Sequence, residues 1–239
     1  QNSGGLTLAQ IPAAVTTITT GSGADVFTTT ATKALTVDAG DGADVVTIGA
    51  NVAVGSSVSL GAGDDRIMKS STYVVSTDSA ALPTTIDGGS GNDIIDTKLI
   101  TAGNGDQFIN FEYLGLNGSS SDAALLTGST ISALVMLNGG GTFSGIKPTQ
   151  SLTVIGDASS DTTTLSYGTS ALGTDDALSI TLADPNADYS TTKPTSANFS
   201  GGAVVASGVE DYTINSAGTL AWNALALGAN SSAETVTIT

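Results

Sequence analysis

The sequence predicts an all-β protein in which a parallel β-roll, or β-solenoid, is followed by a second β-rich region, either a solenoid or a sandwich. Three observations predict this fold. Thr, Ser, Ala and Gly dominate the composition and aromatic residues make up only 5%, one glycine-rich turn recurs in a fixed register, and apolar residues flank each copy. A solenoid is narrow enough to be filled by Val, Ile, Thr and Ala, and β-branched side chains also favour strands.

The recurring turn has the form Gly-x-Gly-x-Asp and lies within four segments that align without gaps. These segments are ITTGSGADVF, VDAGDGADVV, VSLGAGDDRI and IDGGSGNDII, beginning at residues 18, 37, 58 and 86. Two apolar columns flank the turn: Ile18, Val37, Val58 and Ile86 before it, and Phe27, Val46, Ile67 and Ile95 after it. Stacked units of a turn and a strand need this pattern, because one side chain must point inward on each side of the corner.

The spacing of the turns predicts one motif in each coil. Their aspartates, Asp25, Asp44, Asp65 and Asp93, are 19, 21 and 28 residues apart, and a coil of two short strands and two turns needs about 18 residues. The motif should therefore lie on one edge only, opposite turns without the motif around residues 30–33 and 51–56. The longest step should contain an extra loop over roughly residues 70–83.

The end of the repeats predicts the domain organisation. A fifth segment, ITAGNGDQFI from residue 100, keeps both glycines but has Gln107 at the aspartate position and Asp106 one position earlier. We expect it to form a degenerate last rung. The chain then divides into a leader strand or linker (1–13), a β-roll (14–110) and a second β-rich domain (111–239), and we expect it to be a slice of a longer repetitive protein.

Beyond residue 110 the sequence is strand-like but lacks the clear motif. NFEYLGLNG (110–118) and GVEDYTINS (208–216) look like distant versions of one element. ETVTIT (234–239) resembles AVTTITT (14–20), which precedes the first turn, so another array could follow.

Strands and loops are expected in alternation between these two elements. Alternating apolar and polar residues predict strands within 153–167 and 172–182. Segments 138–148 and 183–202 contain glycines and prolines and are expected to be loops.

The charge composition excludes several classes of function. The chain has 22 acidic and 6 basic residues, a formal net charge of −16, and only three of the acids are Glu. This excess of Asp indicates turns or short carboxylates around a hard cation, and it makes nucleic acid and anionic membranes poor partners. The absence of Cys and His excludes disulfides, the usual zinc ligands and a histidine base. No apolar run is long enough to span a membrane.

The four turns resemble the nonapeptide repeat G-G-x-G-x-D-x-U-x of the RTX family of secreted calcium-binding proteins, in which U is large and apolar. GGSGNDIID (88–96) matches in full, whereas Thr20, Ala39 or Leu60 replaces the first glycine elsewhere. The resemblance covers roughly residues 18–109. It implies that calcium is the cofactor, that secretion follows the type I route, and that the protein lies outside the cell on a bacterial surface.

The resemblance also implies a set of metal ligands. Carboxylates would come from the turn aspartates, Asp25, Asp44, Asp65 and Asp93. Further side-chain or carbonyl oxygens would come from nearby residues: Thr20, Ser22, Asp38, Ala39, Asp41, Leu60, Ala62, Asp64, Asp87, Gly88, Ser90, Asn92 and Asp106. The turn glycines would be Gly21, Gly23, Gly40, Gly42, Gly61, Gly63, Gly89 and Gly91.

Stacked turns of this kind could enclose calcium, which takes six to eight oxygens at about 2.3–2.6 Å. Without the ion, neighbouring carboxylates would repel one another, so calcium binding and folding should be coupled. The alternative is that the motif marks turns and nothing more, since Gly and Asp are common there.

The leading functional interpretation is a structural protein without catalytic residues. Composition and sparse repeats resemble Gram-negative surface-layer (S-layer) proteins, which implies calcium-dependent self-assembly with copies of the same chain in a two-dimensional lattice. A cell-surface glycan or lipopolysaccharide is a further candidate partner. An RTX adhesin stalk is the nearest alternative.

A carbohydrate-binding or polysaccharide-modifying β-helix is the alternative from another class. The basic residue beside calcium that such an enzyme needs would have to be Arg66, the single arginine of the chain. Because Arg66 directly follows Asp65 in a turn, we expect a surface salt bridge there instead.

Overall fold

The structure is a computed structural model of the 239-residue chain. It describes residues 3–8, 11–12, 14–29, 34–49, 55–70, 85–137, 139–154, 162–167, 173, 175–182, 198–216, 222–228, 230 and 232–239. Short parallel β-strands dominate these residues, as the sequence predicts. The helical segments among them are single 3₁₀ turns at Thr97–Leu99, Gly105–Gln107 and Ala123–Leu125.

The chain forms two compact units. The first comprises Gln1–Tyr113 and Leu125–Thr130, and the second comprises Leu114–Ala124 and Ile131–Thr239.

The first unit is built from two parallel sheets that the chain visits alternately. The odd-numbered strands pair in sequence order and are β1 (Thr7–Leu8), β3 (Val26–Thr29), β5 (Val45–Ile48), β7 (Arg66–Lys69) and β9 (Ile94–Asp96). The even-numbered strands do the same and are β2 (Thr17–Thr19), β4 (Thr36–Asp38), β6 (Ser57–Ser59), β8 (Thr85–Asp87) and β10 (Phe108–Ile109). One even strand and the next odd strand make one coil of a β-roll.

The two predicted apolar columns are confirmed by the strand register. In the even sheet, Ile18, Val37, Val58 and Ile86 are successive ladder partners. In the odd sheet, Phe27, Val46, Ile67 and Ile95 are successive partners. All eight side chains are buried, so they form the core between the two sheets.

The four glycine-rich turns lie on one edge of the roll, as predicted. Each connects an even strand to the following odd strand, whereas the connection back to the next even strand crosses the opposite edge. The extra loop expected at roughly 70–83 falls, apart from Ser70, on residues 71–83, and much of the expected opposite turns falls on 30–33 and 51–54. These residues lie outside those described.

The fifth segment does not form a fifth rung, so the prediction for Asp106 is wrong. The ladder partner of Ile86 is Phe108, and residues 100–107 therefore lie in the connection from β9 to β10, on the opposite edge. A local bond network explains this placement: the Asn104 side chain accepts from the Thr101 N–H and donates to the Leu99 carbonyl. Asp106 is exposed in the following 3₁₀ turn.

The second unit repeats the alternating parallel topology. Its odd strands pair in sequence order and are β11 (Tyr113–Leu116), β13 (Ala133–Met136), β15 (Ser151–Val154), β17 (Ala177–Leu182), β19 (Asp211–Ser216) and β21 (Thr235–Ile238). Its even strands are β12 (Ser121–Asp122), β14 (Gly141–Ser144), β16 (Thr162–Leu165), β18 (Asn198–Ala206) and β20 (Trp222–Leu227). Sandwiches are built from antiparallel sheets, so this region is a solenoid.

The sequence predictions for the second unit are confirmed for strands and corrected for loops. Strands β16 and β17 lie within the segments where alternation predicts strands, and β15 overlaps the first of these segments only at residues 153–154. The segment 138–148 is not a loop, because it contains β14, whose Phe143 is fully buried. The expected loop at 183–202 is shorter, since β18 begins at Asn198, and residues 183–197 lie outside those described.

The similarity between 234–239 and 14–20 does not reflect equivalent positions. The earlier segment contains β2 of an even sheet, whereas the later one contains β21 of an odd sheet, paired with β19. No helix in the described part of the chain has the length and apolarity needed to cross a bilayer.

Candidate metal centre

The four motif aspartates form a buried row along the glycine-rich edge of the first unit. Each directly precedes an odd strand, and each follows the second glycine of its turn by two residues. Asp25 is 2% exposed and Asp44, Asp65 and Asp93 are fully buried. Sequence spacing therefore predicted the right residues for a line of carboxylates, and the structure brings them together.

Backbone hydrogen bonds stack the row into a ladder. The N–H of Asp25 donates to Oδ1 of Asp44 at 2.7 Å, and the N–H of Asp44 donates to Oδ1 of Asp65 at 2.7 Å. The N–H of Asp65 donates to Oδ1 of Asp93 at 2.9 Å. Each carboxylate is thus held by the backbone of the preceding turn, which fixes its direction.

The second carboxylate oxygen of Asp44, Asp65 and Asp93 has no hydrogen-bond partner, unlike that of Asp25. Oδ2 of Asp44, Asp65 and Asp93 is buried and has no hydrogen-bond partner, whereas Oδ2 of Asp25 accepts from the Gly21 N–H at 3.4 Å. Burying a charged group without a partner is costly, and proteins normally pair such a group or bind a metal with it. Three such oxygens in successive turns therefore indicate a site for positive charge.

Burial changes the acidity of these three groups. It raises the pKa of Asp44 to about 7, that of Asp65 to about 6 and that of Asp93 to about 7. The backbone N–H bonds lower each pKa and only partly offset burial, while neighbouring carboxylates raise it further. In the metal-free ladder the neutral form is thus favoured up to nearly neutral pH.

The glycines allow the turns to stack closely. Gly40, Gly61 and Gly89 have φ values of 90°, 107° and 99°, a conformation that costs other residues about 1–2 kcal/mol. A Cβ on Gly61 would lie 1.7 Å from the carbonyl oxygen of Gly40. The same carbonyl accepts from the Ala62 N–H at 2.9 Å, so the stacked backbone leaves no space for a side chain.

The remaining predicted ligands have different positions in the turns. Thr20 donates its hydroxyl to the Ala39 carbonyl. The Ala62 and Ser90 carbonyls accept from glycine N–H groups of the preceding turns. Ala39 and Leu60 direct their side chains into the core, so only their carbonyls could ligate.

The other polar side chains predicted as ligands are more exposed to solvent than the four aspartates of the ladder. Asp64 is exposed and accepts from the Asn92 N–H at 2.9 Å, and Asp87 accepts from the Gly89 N–H at 3.0 Å. The exposed residues also include Ser22, Asp38 and Asp41. The structure thus separates an inner row of aspartates from an outer set of turn residues.

Sequence reasoning missed the residue that ends the ladder. The N–H of Asp93 donates to Oε2 of Glu112 at 3.1 Å, so Glu112 takes the place of a fifth aspartate. In the second unit the N–H of Asp176 donates to Oε2 of Glu210 at 3.0 Å in the same way. The similarity between the segments at 110 and 208 was the signal for this shared role.

The expectation of a surface role for Arg66 is wrong. Arg66 begins β7 and is 6% exposed, and burial lowers the pKa of its guanidinium while Asp96 opposes that shift. Asp96 is fully buried and lies at the end of β9, the strand that pairs with β7. Arg66 lies at a buried position because a neighbouring strand supplies an acid, which no local pattern around Asp65 indicates.

The residues present fit a hard cation. No three acidic side chains of the described residues converge on one point, so an ion at the ladder would take carboxylate oxygens from neighbouring rungs and its other ligands from turn carbonyls. Calcium accepts such mixed oxygen ligands in flexible geometry. The unpartnered Oδ2 atoms of Asp44, Asp65 and Asp93 would be the first candidate ligands for such an ion.

No protein-family model, curated protein or solved structure matches the chain. Inferences about function therefore rest on the ladder itself.

Proposed function

We propose that this chain is a calcium-binding structural protein in which calcium completes the aspartate ladder and drives the folding of the first unit. One observation carries the proposal: three successive buried aspartates each have one carboxylate oxygen without a partner. A divalent cation would offset the burial cost of these groups, and neither the backbone nor a neighbouring acid can do so. Ligand binding to the folded state alone then stabilises it by mass action.

Calcium suits this edge better than magnesium does. Magnesium demands nearly ideal octahedral geometry and retains several waters, whereas calcium tolerates irregular sets of carboxylates and carbonyls. The turns offer carbonyls from a closely stacked backbone, held in place by bonds such as that from the Ser90 N–H to the Gly61 carbonyl at 2.9 Å. A buried and closely stacked edge of this kind favours the ion that loses its bound water readily.

We further propose that the protein assembles with copies of itself in an S-layer outside a bacterial cell. The RTX-like turns support secretion, and the acidic composition supports a calcium-rich environment.

The proposal is tested by titrating calcium into the metal-stripped chain and recording circular dichroism and light scattering, with magnesium as control. Calcium at about 0.1–1 mM should produce β-structure and then large particles. Folding without particle growth would reject the lattice and favour an adhesin stalk. A stripped chain that is fully folded and indifferent to calcium would reject the calcium role altogether.

A pair of variants of matched charge sharpens the titration. Asp65→Asn keeps an oxygen for the Asp44 N–H but removes the charge, so the calcium midpoint should rise at least about tenfold. Asp106→Asn removes the same charge from the opposite edge of the same unit and should leave the midpoint unchanged. Equal effects of the two variants would mean that net charge, and not the ladder, controls the response.

A further inference from the structure

We infer that Glu112 is the terminal ligand of the array, and that it closes an additional cation site between the turn at residues 88–93 and the short turn at residues 110–112. Nothing in the repeated motif assigns a ligand at Glu112. The inference rests on the proposed calcium function, and it adds a fourth rung-to-rung interval, between Asp93 and Glu112, to the three between the motif aspartates.

The geometry of the last rung repeats that of the inner ones. The bond from the Asp93 N–H to Oε2 of Glu112 has the same direction and rung offset as the bond from the Asp65 N–H to Oδ1 of Asp93. Both acids directly precede an odd strand, β9 for Asp93 and β11 for Glu112. Glu112 therefore brings its carboxylate to the position that a further aspartate would occupy.

A buried oxygen without a partner lies beside this rung. Asp93 is fully buried, its Oδ1 accepts from Asp65, and its Oδ2 has no partner. The negative charge of Glu112 is one of the factors that raise the pKa of Asp93, so the two carboxylates are close enough to repel. A cation between them would reverse this interaction.

The backbone at the last rung supplies a carbonyl to the same place. Asn110 has φ 57°, the single left-handed residue other than glycine among those described. Its side chain donates to Oδ1 of Asp87 at 2.8 Å, which holds this conformation. A Cβ built on Gly88 would lie 2.1 Å from the Asn110 carbonyl oxygen and 2.9 Å from Oδ2 of Asp93, so both oxygens lie close to Gly88 and leave no room for a side chain there.

The close approach of these two oxygens to Gly88 explains why one turn alone matches the nonapeptide repeat in full. The position before the first motif glycine is Thr20, Ala39 and Leu60 in the other turns, and a side chain is accommodated there. At Gly88 a side chain would instead clash with the Asn110 carbonyl and the Asp93 carboxylate. The extra glycine therefore allows these two oxygens to approach the backbone closely at the rung that Glu112 ends.

The test counts calcium ions bound per chain by equilibrium dialysis followed by elemental analysis, at a calcium concentration that just saturates the wild type. Glu112→Gln should bind one ion fewer. Gly88→Ala should lose the same ion, because its methyl group would displace the Asn110 carbonyl and the Asp93 carboxylate without changing any charge. Glu234→Gln, which removes the same charge from an exposed residue before β21, should bind as many ions as the wild type.

The outcomes separate the inference from the proposed function. A wild-type chain that binds no calcium would contradict the proposed function. A wild type that binds calcium, together with a Glu112→Gln variant of unchanged ion count and affinity, would overturn the inference and leave the aspartate ladder standing. Circular dichroism in saturating calcium checks that each variant is folded, and Gly88→Ala provides an independent second result should Glu112→Gln fail to fold.

Discussion

The two units share a topology but fill the corresponding edge with different chemistry. In the first unit, the residue before each of β3, β5, β7 and β9 is an aspartate, whose ionised carboxylate can only accept hydrogen bonds. In the second unit, the buried residue before β15 is Gln150, whose Nε2 donates to the Ile131 carbonyl at 2.6 Å while its Oε1 accepts from the Lys147 N–H at 2.7 Å. The side-chain amide therefore has a hydrogen-bond partner for both its oxygen and its nitrogen at this position, whereas a carboxylate has one oxygen without a partner.

A parallel coil therefore does not itself require a metal. Asp176 resembles the aspartates of the first unit, since its Oδ2 is also buried without a partner, but it is only partly buried as a residue and is the single such aspartate among the described residues of the second unit. Elsewhere the second unit depends on apolar side chains such as Leu134, Leu152 and Ile180, which are fully buried ladder neighbours. Calcium dependence should therefore be concentrated in the first unit.

The largest expected effect is a pH dependence of the calcium-free first unit. The folded-state pKa values of Asp44, Asp65 and Asp93 lie at about 7, 6 and 7, above the ordinary 3.8. Between about pH 4 and pH 7 the folded state therefore binds more protons than the unfolded state. The stability of the calcium-free first unit should fall as the pH rises through this range, and it should remain low above about pH 7.

Thermal melts followed by circular dichroism check this prediction. Without calcium, the melting temperature should be higher at pH 5 than at pH 8. In saturating calcium the order should reverse, because protons compete with the ion for the same oxygens. A calcium-free chain that is equally or more stable at pH 8 would show that the buried carboxylates are compensated in some other way.

The next largest effect is expected from the core of the second unit. Leu152→Ala should lower the free energy of unfolding by about 2–5 kcal/mol, because it removes buried methyl groups and leaves a cavity. The loss should be the same with and without calcium. Thr153→Ala, at the adjacent partly exposed position, is the control and should cost far less. A calcium-dependent loss for Leu152→Ala would contradict the separation of the two units.

A smaller effect is expected from the close stacking of the turns. Gly55 and Gly61 both have positive φ, 84° and 107°, but a Cβ on Gly55 meets no atom of the described residues within 4 Å. Gly55→Ala should cost about 1–2 kcal/mol from backbone strain alone. Gly61→Ala should lower the free energy of unfolding by about 1–3 kcal/mol more than Gly55→Ala does, because its Cβ meets the Gly40 carbonyl. Denaturant unfolding in saturating calcium measures both, and equal losses would mean that the turns are not closely packed.

Much of the first unit could be predicted from sequence because two independent periodicities coincide there. The apolar columns and the Gly-x-Gly-x-Asp turns have the same register, so the strand pairing of Val37 or Val46 follows from counting residues. The fifth segment imitates this register with Gly103 and Gly105, but its Asn104 closes a local turn. Glycine spacing without the aspartate was therefore a misleading signal.

The rest of the site depends on contacts between coils that a single sequence does not display. Glu112 reaches the ladder through a turn of three residues, not six, and so falls outside the repeat. Arg66 is buried because Asp96 comes from the next odd strand. In the second unit, coil lengths vary from the 18 residues between Ala133 and Ser151 to the 41 between Thr162 and Ala203, which hides the period.

The most direct test of the central claim is hydrogen exchange, resolved along the chain, with and without calcium at pH 7.5. The account predicts that chelation removes protection from β3, β5, β7 and β9 and leaves β13 and β15 protected, and that adding calcium back restores the first set. Equal protection of the first set with and without calcium would contradict the claim that the aspartate ladder needs a cation. Loss of protection in both units together would contradict its restriction to the first.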